Sequence, residues 1–251
     1  MSATSREPER CALCGASEPQ IHLCKSHIIP EFAYRGLYDP SHKLVELQTG
    51  SPQRQVRRPT GLYQRKFLCD SCERRLSVHE QYAGELLYGR PRCPIRPQVI
   101  DGDLWFYGSD YHHFKLFLLS VLWRAGACSV PEFSEVSLGP HQEKLRQLLL
   151  GEEPGTWSDY PCLIVHCPNL TNLVGREFVI PPGFARSGEG HRTYCFAFGG
   201  LFWDFFVSGH AARSRFSRYF LREDGGFAVL KTDKPWRHFR NLKPPISLTP
   251  R

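Results

Sequence analysis

Four cysteines in two identically spaced pairs are the strongest chemical signal in this sequence. Cys11 and Cys14 form the first pair, and Cys69 and Cys72 form the second, each separated by two residues. Thiolates at this spacing supply half of a tetrahedral zinc site, so the two pairs together offer its four ligands. We predict that they hold one structural Zn²⁺.

A histidine, His27, lies between the two pairs in the apolar stretch Ile21–Ile29, which ends at Pro30 and is predicted to be a strand. The spacing also leaves a second grouping open. Cys24 and His27 are three residues apart, so they could complete a zinc site with Cys11 and Cys14. In that alternative His27 is a structural ligand, whereas in the first it is presented by the zinc-built scaffold.

A helix is predicted to begin at Cys69 and to continue to Leu87, because Leu76, Ala83 and Leu87 recur on one helical face. Glu73 and Glu80 are seven residues apart, about two turns, and therefore share a side of this helix. Three prolines between residues 91 and 97 then interrupt the chain. We place a domain boundary there, with one domain at 1–98 and another at 99–251.

The second domain is predicted to combine helices with strands. The apolar spacing in Tyr111–Ala125 favours a buried helix, and His141–Leu150 favours an amphipathic one. Strands are predicted at 162–167, 177–180, 193–198, 201–207 and 226–232, with Gly199 and Gly200 joining two of them as a hairpin. Cys162 and Cys167 should point to opposite faces of their strand, which argues against a second cysteine metal site.

The chain carries a formal net charge of +7, and the basic excess has a defined position. Residues 211–251 contain ten Lys or Arg against three Asp or Glu, so the rest of the chain is balanced. A further basic group lies in the long connection predicted over residues 31–66: it comprises Arg54, Arg57, Arg58, Arg65 and Lys66. Basic side chains near His27 favour contacts with nucleic-acid phosphates.

The order of these motifs resembles the HNH endonucleases, the zinc-bearing branch of the His-Me finger nucleases. The resemblance covers residues 11–88, where a Cys-x2-Cys pair precedes a His-Ile-Ile-Pro strand and a Leu-Cys-x2-Cys sequence opens a helix. It implies an α+β fold, with a zinc-stabilised ββα (treble-clef) module followed by a larger domain of helices and a mainly antiparallel sheet. It also implies metal-dependent hydrolysis of phosphodiester bonds in DNA, with His27 as general base on water.

The resemblance implies a catalytic divalent ion as well, Mg²⁺ or another. The family keeps a metal ligand directly before the motif histidine, where this chain has Ser26, a poor Mg²⁺ ligand. Glu73 is then the candidate ligand on the helix and a candidate catalytic residue, with His79 and Glu80 as further candidates. In bacteria such fingers joined to another domain often resemble phage-defence effectors.

A second function stays open from the sequence, a non-catalytic zinc-finger module that binds nucleic acid or a protein partner, the latter through the C-terminal domain. Several other classes are disfavoured. The N-terminus lacks the apolar core of a signal peptide and no apolar run is long enough to span a membrane, so we expect a cytoplasmic protein with reduced thiols. No phosphate-cradling or dinucleotide-binding glycine motif is present.

Overall fold

A computed structural model describes residues 9–48, 54–89, 95–169 and 178–233 of the chain. Its N-terminal part contains β1 (Leu23–His27), a 3-10 helix (Glu31–Leu37), β2 (Leu44–Gln48), β3 (Arg54–Arg58), β4 (Tyr63–Cys69) and α1 (Asp70–Tyr88). The second part contains β5 (Gln98–Ile100), β6 (Asp103–Phe106), α2 (Tyr111–Ala127), α3 (Pro140–Gly151), β7 (Cys162–His166), β8 (Val179–Arg186), β9 (Arg192–Phe198), β10 (Leu201–Phe206) and β11 (Phe227–Lys231).

The two cysteine pairs belong to a unit of two strands and a helix. β1 pairs antiparallel with β4, with Leu23 opposite Cys69 and His27 opposite Tyr63. A bulge interrupts the pairing between Cys24 and Ser26. α1 begins directly after β4, at Asp70, and ends at Tyr88. The helix predicted from Cys69 to Leu87 is therefore confirmed. We call β1, β4, α1 and the segment carrying Cys11 and Cys14 the cysteine module.

The prediction that residues 31–66 form one long connection is wrong, because this region contains regular secondary structure. It contains a 3-10 helix, the antiparallel β2–β3 hairpin and the beginning of β4. The sequence signal was weak because β3 is mostly arginine and glutamine, and because β4 buries side chains only at its C-terminal end, from Phe67 to Cys69. Pairing with a distant strand, rather than local alternation, therefore defines these elements.

The second part is built on a seven-stranded mixed sheet in the order β5-β6-β11-β7-β10-β9-β8. Its strand pairs are antiparallel except for β11 with β7, which run parallel. Gly199 and Gly200 have φ values of 62° and 76° and join β9 to β10 as the predicted hairpin. Cys162 and Cys167 lie in apolar clusters on opposite sides of the sheet, which confirms that they do not form a metal pair.

α2 is the helix that connects the two parts, since it packs against both α1 and α3. Almost its whole length is buried, including the charged residues Lys115 and Arg124. Phe67 of the cysteine module stacks on Trp123 of α2, with ring centroids 5.8 Å apart. The apolar core thus continues across the predicted boundary near residue 98. No described helix is long and apolar enough to cross a membrane.

Candidate metal centres and histidine site

The four predicted zinc ligands form one cluster. The Sγ atoms of Cys11, Cys14, Cys69 and Cys72 lie within 4.8 Å of one another, and those of Cys14 and Cys69 are 3.8 Å apart. Zn–S bonds of about 2.3 Å in a tetrahedral site place the sulphur atoms about 3.8 Å apart. The cluster can therefore hold a structural zinc. Cys24 does not belong to this cluster. Its thiol donates a hydrogen bond to the Leu68 carbonyl at 3.1 Å.

Local backbone geometry holds the thiols in place. The amide of Gly15 donates to the Cys11 carbonyl at 2.9 Å, and its φ of 78° suits a residue without a side chain. The amide of Cys69 donates to Cys11 Sγ at 3.3 Å, and Cys72 lies in the first turn of α1. Helix N-termini favour negative charge, so this end of α1 suits thiolate ligands.

The thiols are close enough to compete for ionisation. A hydrogen bond with Cys72 lowers the pKa of Cys11 to about 4, and the same contact raises the pKa of Cys72. Four thiolates at this distance repel one another unless a cation lies between them, and a divalent ion removes that repulsion. The donor set and its spacing therefore fit Zn²⁺.

His27 lies at the C-terminal end of β1 and its ring is held by two side chains. Nε2 is 2.8 Å from Oε2 of Glu31, at the start of the 3-10 helix, and 2.9 Å from Oγ1 of Thr60. Because a carboxylate lies beside Nε2, the contact with Glu31 favours the neutral tautomer with its proton on Nε2 and its lone pair on Nδ1. Burial lowers the pKa of His27; Lys25 and Arg124 lower it further and Glu31 opposes them. The neutral form of the ring therefore predominates at pH 7.

The carboxylates predicted to hold a catalytic ion both face a buried arginine. Nη1 of Arg124 lies 2.5 Å from Oε1 of Glu80, and Nη2 lies 3.7 Å from Oε2 of Glu73. Ser26 is fully buried, and its hydroxyl has no hydrogen-bond partner among the described residues. Because one guanidinium contacts both carboxylates and offsets one of their two negative charges, this arrangement does not fit a divalent ion bound between them. Glu73 as a catalytic residue stays a prediction.

Arg124 also reaches β1, since its Nη1 donates to the His27 carbonyl at 3.0 Å. Its side chain is 1% exposed, so these protein partners, and not water, stabilise the positive charge of the guanidinium. Burial raises the pKa of Glu80, while the neighbouring Arg124 acts in the opposite direction. This one arginine therefore ties α2 to both α1 and β1.

His79 belongs to a second group of potential ligands. Its Nδ1 is 3.0 Å from Nδ1 of His113, and one ring nitrogen each of His79, His112 and His113 lie within 4.8 Å of one another. Burial, and then the two neighbouring histidines, lower the pKa of His79 to about 4. The triad could hold a metal ion, whereas neither Glu73 nor Glu80 belongs to a metal-ligating group within the described residues.

The predicted basic residues are not gathered on one surface. Arg58 pairs with Glu132 of the second part at 3.0 Å. Lys66 pairs with Glu9 and Glu18. Arg57 is exposed on β3. The side chain of Arg54 lies outside the described part of the chain, as do residues 234–251 of the basic C-terminal segment.

A groove of about 600 Å³ nevertheless runs beside His27. We call it the basic groove; its lining includes Lys25, Pro59, Thr60, Tyr63, Arg65 and Lys66. Lys25 Nζ lies 4.5 Å from the centre of the Tyr63 ring. Thr60 both lines the groove and contacts His27, so the groove and the histidine are adjacent.

Comparison of the chain with protein-family models, curated proteins and solved structures finds no match. The resemblance to HNH endonucleases therefore stays a prediction from the motifs.

Sequence reasoning missed the residues that surround the predicted ones. Glu31 follows His27 by four residues and could have been noticed from that spacing, since it begins the segment after Pro30. Arg124 lies in a mainly apolar stretch of α2, from Leu116 to Ala125, a pattern that points to a buried charge with distant partners. His112 and His113 carried no local signal, because their partner His79 is on another helix.

Proposed function

We propose that this chain is a zinc-stabilised endonuclease of the HNH type that hydrolyses phosphodiester bonds in DNA. The observation that carries the proposal is the setting of His27. It ends β1 in a two-strand and helix unit closed by four cysteines, and its Nε2 is held by the Glu31 carboxylate. A neutral imidazole oriented in this way can accept a proton at Nδ1.

The chemistry follows from the proton positions. Nδ1 of His27 takes a proton from water as the water oxygen bonds to phosphorus, and the bond from phosphorus to the leaving oxygen breaks. The Glu31 carboxylate, whose Oε2 lies 2.8 Å from Nε2, stabilises the imidazolium that forms, so Glu31 is a positioning residue. Lys25 and Arg65 of the basic groove supply cations for the backbone phosphates beside the scissile one.

Replacing His27 by alanine should reduce cleavage of supercoiled plasmid in the presence of Mg²⁺ by about 10²–10⁴-fold, the usual contribution of a general base. Zinc content and thermal unfolding should stay close to the wild type. His210→Ala, an exposed histidine of the second part, is the matched control and should cleave normally. Wild-type cleavage rates in the His27→Ala variant would contradict the role of His27 as general base.

The pH dependence tests the same histidine independently. The neutral ring is the active form and its pKa lies below the ordinary 6.5, so cleavage should persist at pH 6.5 and decline only as pH falls through the lowered value. Glu31 raises the pKa of His27, so Glu31→Gln should move this decline to lower pH. An unchanged profile in Glu31→Gln would remove Glu31 from the mechanism.

A second candidate is a zinc module that binds nucleic acid without cleaving it. The pairing of Glu73 and Glu80 with Arg124 favours it, because a catalytic ion then lacks its predicted ligands. Both candidates use the basic groove, and they differ in whether the wild-type chain cleaves DNA when a divalent ion is supplied.

Binding through the groove should depend on salt. Lys25→Ala with Arg65→Ala should weaken duplex binding and reduce the slope of log K against log salt by about 2, since each phosphate contact contributes about 0.9. Lys144→Ala with Lys231→Ala removes the same charge elsewhere and is the control. Fluorescence anisotropy across a salt series measures both. Equal slopes in the two double variants would show that DNA does not use the groove.

A further inference from the structure

We propose that His79, His112 and His113 bind a second zinc ion, which links α1 to α2. The proposal concerns a site separate from the four cysteines and does not depend on cleavage by His27. One ring comes from the middle of α1, and the other two come from the first turn of α2. An ion held by all three would cross-link the cysteine module to the second part of the chain.

The first argument is that three ring nitrogens converge. Each histidine contributes one ring nitrogen to a group of three that all lie within 4.8 Å of one another. Nδ1 of His79 lies 3.0 Å from Nδ1 of His113. Zn–N bonds of about 2.0–2.1 Å in a tetrahedral site separate the nitrogens by about 3.4 Å. Small ring movements therefore suffice to admit the ion.

The second argument is that the outer nitrogen of His112 already has a hydrogen-bond partner and that of His113 lies near a carboxylate. Nε2 of His112 lies 3.0 Å from the Glu152 carbonyl oxygen, which only accepts, so the neutral ring has its proton on Nε2 and its lone pair on Nδ1. Nε2 of His113 lies 4.0 Å from Oδ2 of Asp110. A ligating histidine commonly directs its other N–H to a carbonyl or carboxylate, and the bond from His112 to Glu152 leaves the lone pair of its Nδ1 for a metal.

The third argument concerns the alternative, a simple hydrogen bond between two rings. Such a bond accounts for the 3.0 Å contact between His79 and His113 but not for the approach of a third ring nitrogen to within 4.8 Å of both. His79 is buried, while His112 is exposed. The site is therefore open on one side, which leaves the fourth zinc position for water.

Metal content of the full-length chain tests the proposal directly. After equilibration with Zn²⁺ and desalting, the wild type should retain two zinc ions per chain by mass spectrometry. X-ray absorption at the zinc edge should then show an average of about two sulphur and two nitrogen or oxygen neighbours, since one site has four thiolates and the other none. One zinc per chain with sulphur neighbours alone would overturn the proposal.

Substitution assigns the second ion to the triad. His112→Ala changes an exposed side chain and should weaken the second zinc by more than about 100-fold, beyond the loss typical for an outer partner of a ligand. The zinc bound by the four cysteines should remain. His22→Ala, whose side chain is 73% exposed, is the control and should retain both ions. Two ions in His112→Ala at wild-type affinity would also overturn the assignment.

Discussion

Replacing Cys72 by serine should release the structural metal and unfold most of the cysteine module. Cys72 is 1% exposed and supplies one of four clustered thiols, so serine leaves an incomplete donor set in a buried place. A structural zinc can contribute on the order of 10 kcal/mol to the folding of a small module. We expect loss of one zinc and rapid amide exchange along β1, β4 and the start of α1, measured by metal analysis and hydrogen exchange.

Cys24→Ser is the matched control for that experiment. Cys24 lies on β1 near the cluster, yet its thiol bonds the Leu68 carbonyl and is not among the clustered ligands. Zinc content and amide protection should both survive the change. Loss of zinc in Cys24→Ser, with retention in Cys72→Ser, would restore the alternative grouping of Cys11, Cys14, Cys24 and His27, and His27 would then be a structural ligand.

The zinc ligands and the main helices could be predicted because their signals are local. Two Cys-x2-Cys pairs need no knowledge of the fold to be recognised as one donor set, and the apolar spacing of α1 and α2 is contained within each helix. The hairpin at Gly199 and Gly200 likewise depends on two adjacent residues that tolerate positive φ. Each of these features is decided within about twenty residues of sequence or by a repeated motif.

The rest depended on contacts between distant residues. β4 is polar over most of its length and becomes a strand by pairing with β1. The resemblance also suggested Glu73 as a metal ligand, with Glu80 on the same helical side as a further candidate, but the same geometry presents both to Arg124 of α2. Spacing identifies which side chains lie together on a helix, whereas the partner across from them is set by packing.

Arg124→Met should destabilise the chain by about 3–5 kcal/mol, the usual effect of removing one partner from a buried ion pair. Methionine retains much of the apolar stem but leaves the carboxylates of Glu73 and Glu80 without their cation, and it removes the donor to the His27 carbonyl. Urea unfolding at pH 7 measures the loss. Arg75→Met, which breaks a more exposed pair with Glu152 at 3.9 Å and a hydrogen bond to the Leu150 carbonyl, is the control and should destabilise the chain clearly less than Arg124→Met.

The pH dependence and a second substitution show whether the charge or the packing of Arg124 matters. Burial raises the pKa of Glu80 in the folded chain above its ordinary value of 4.5. The protonated carboxyl therefore contributes its full stability below pH 4.5, and this contribution is lost as the pH rises through the raised pKa. Without Arg124 this pKa rises further, so Arg124→Met should be less harmful in acid than at pH 7. Glu80→Gln should restore part of the stability of Arg124→Met, because it removes the unpaired charge. If Glu80→Gln gives no rescue, the arginine acts mainly through its other contacts, the bond to the His27 carbonyl among them.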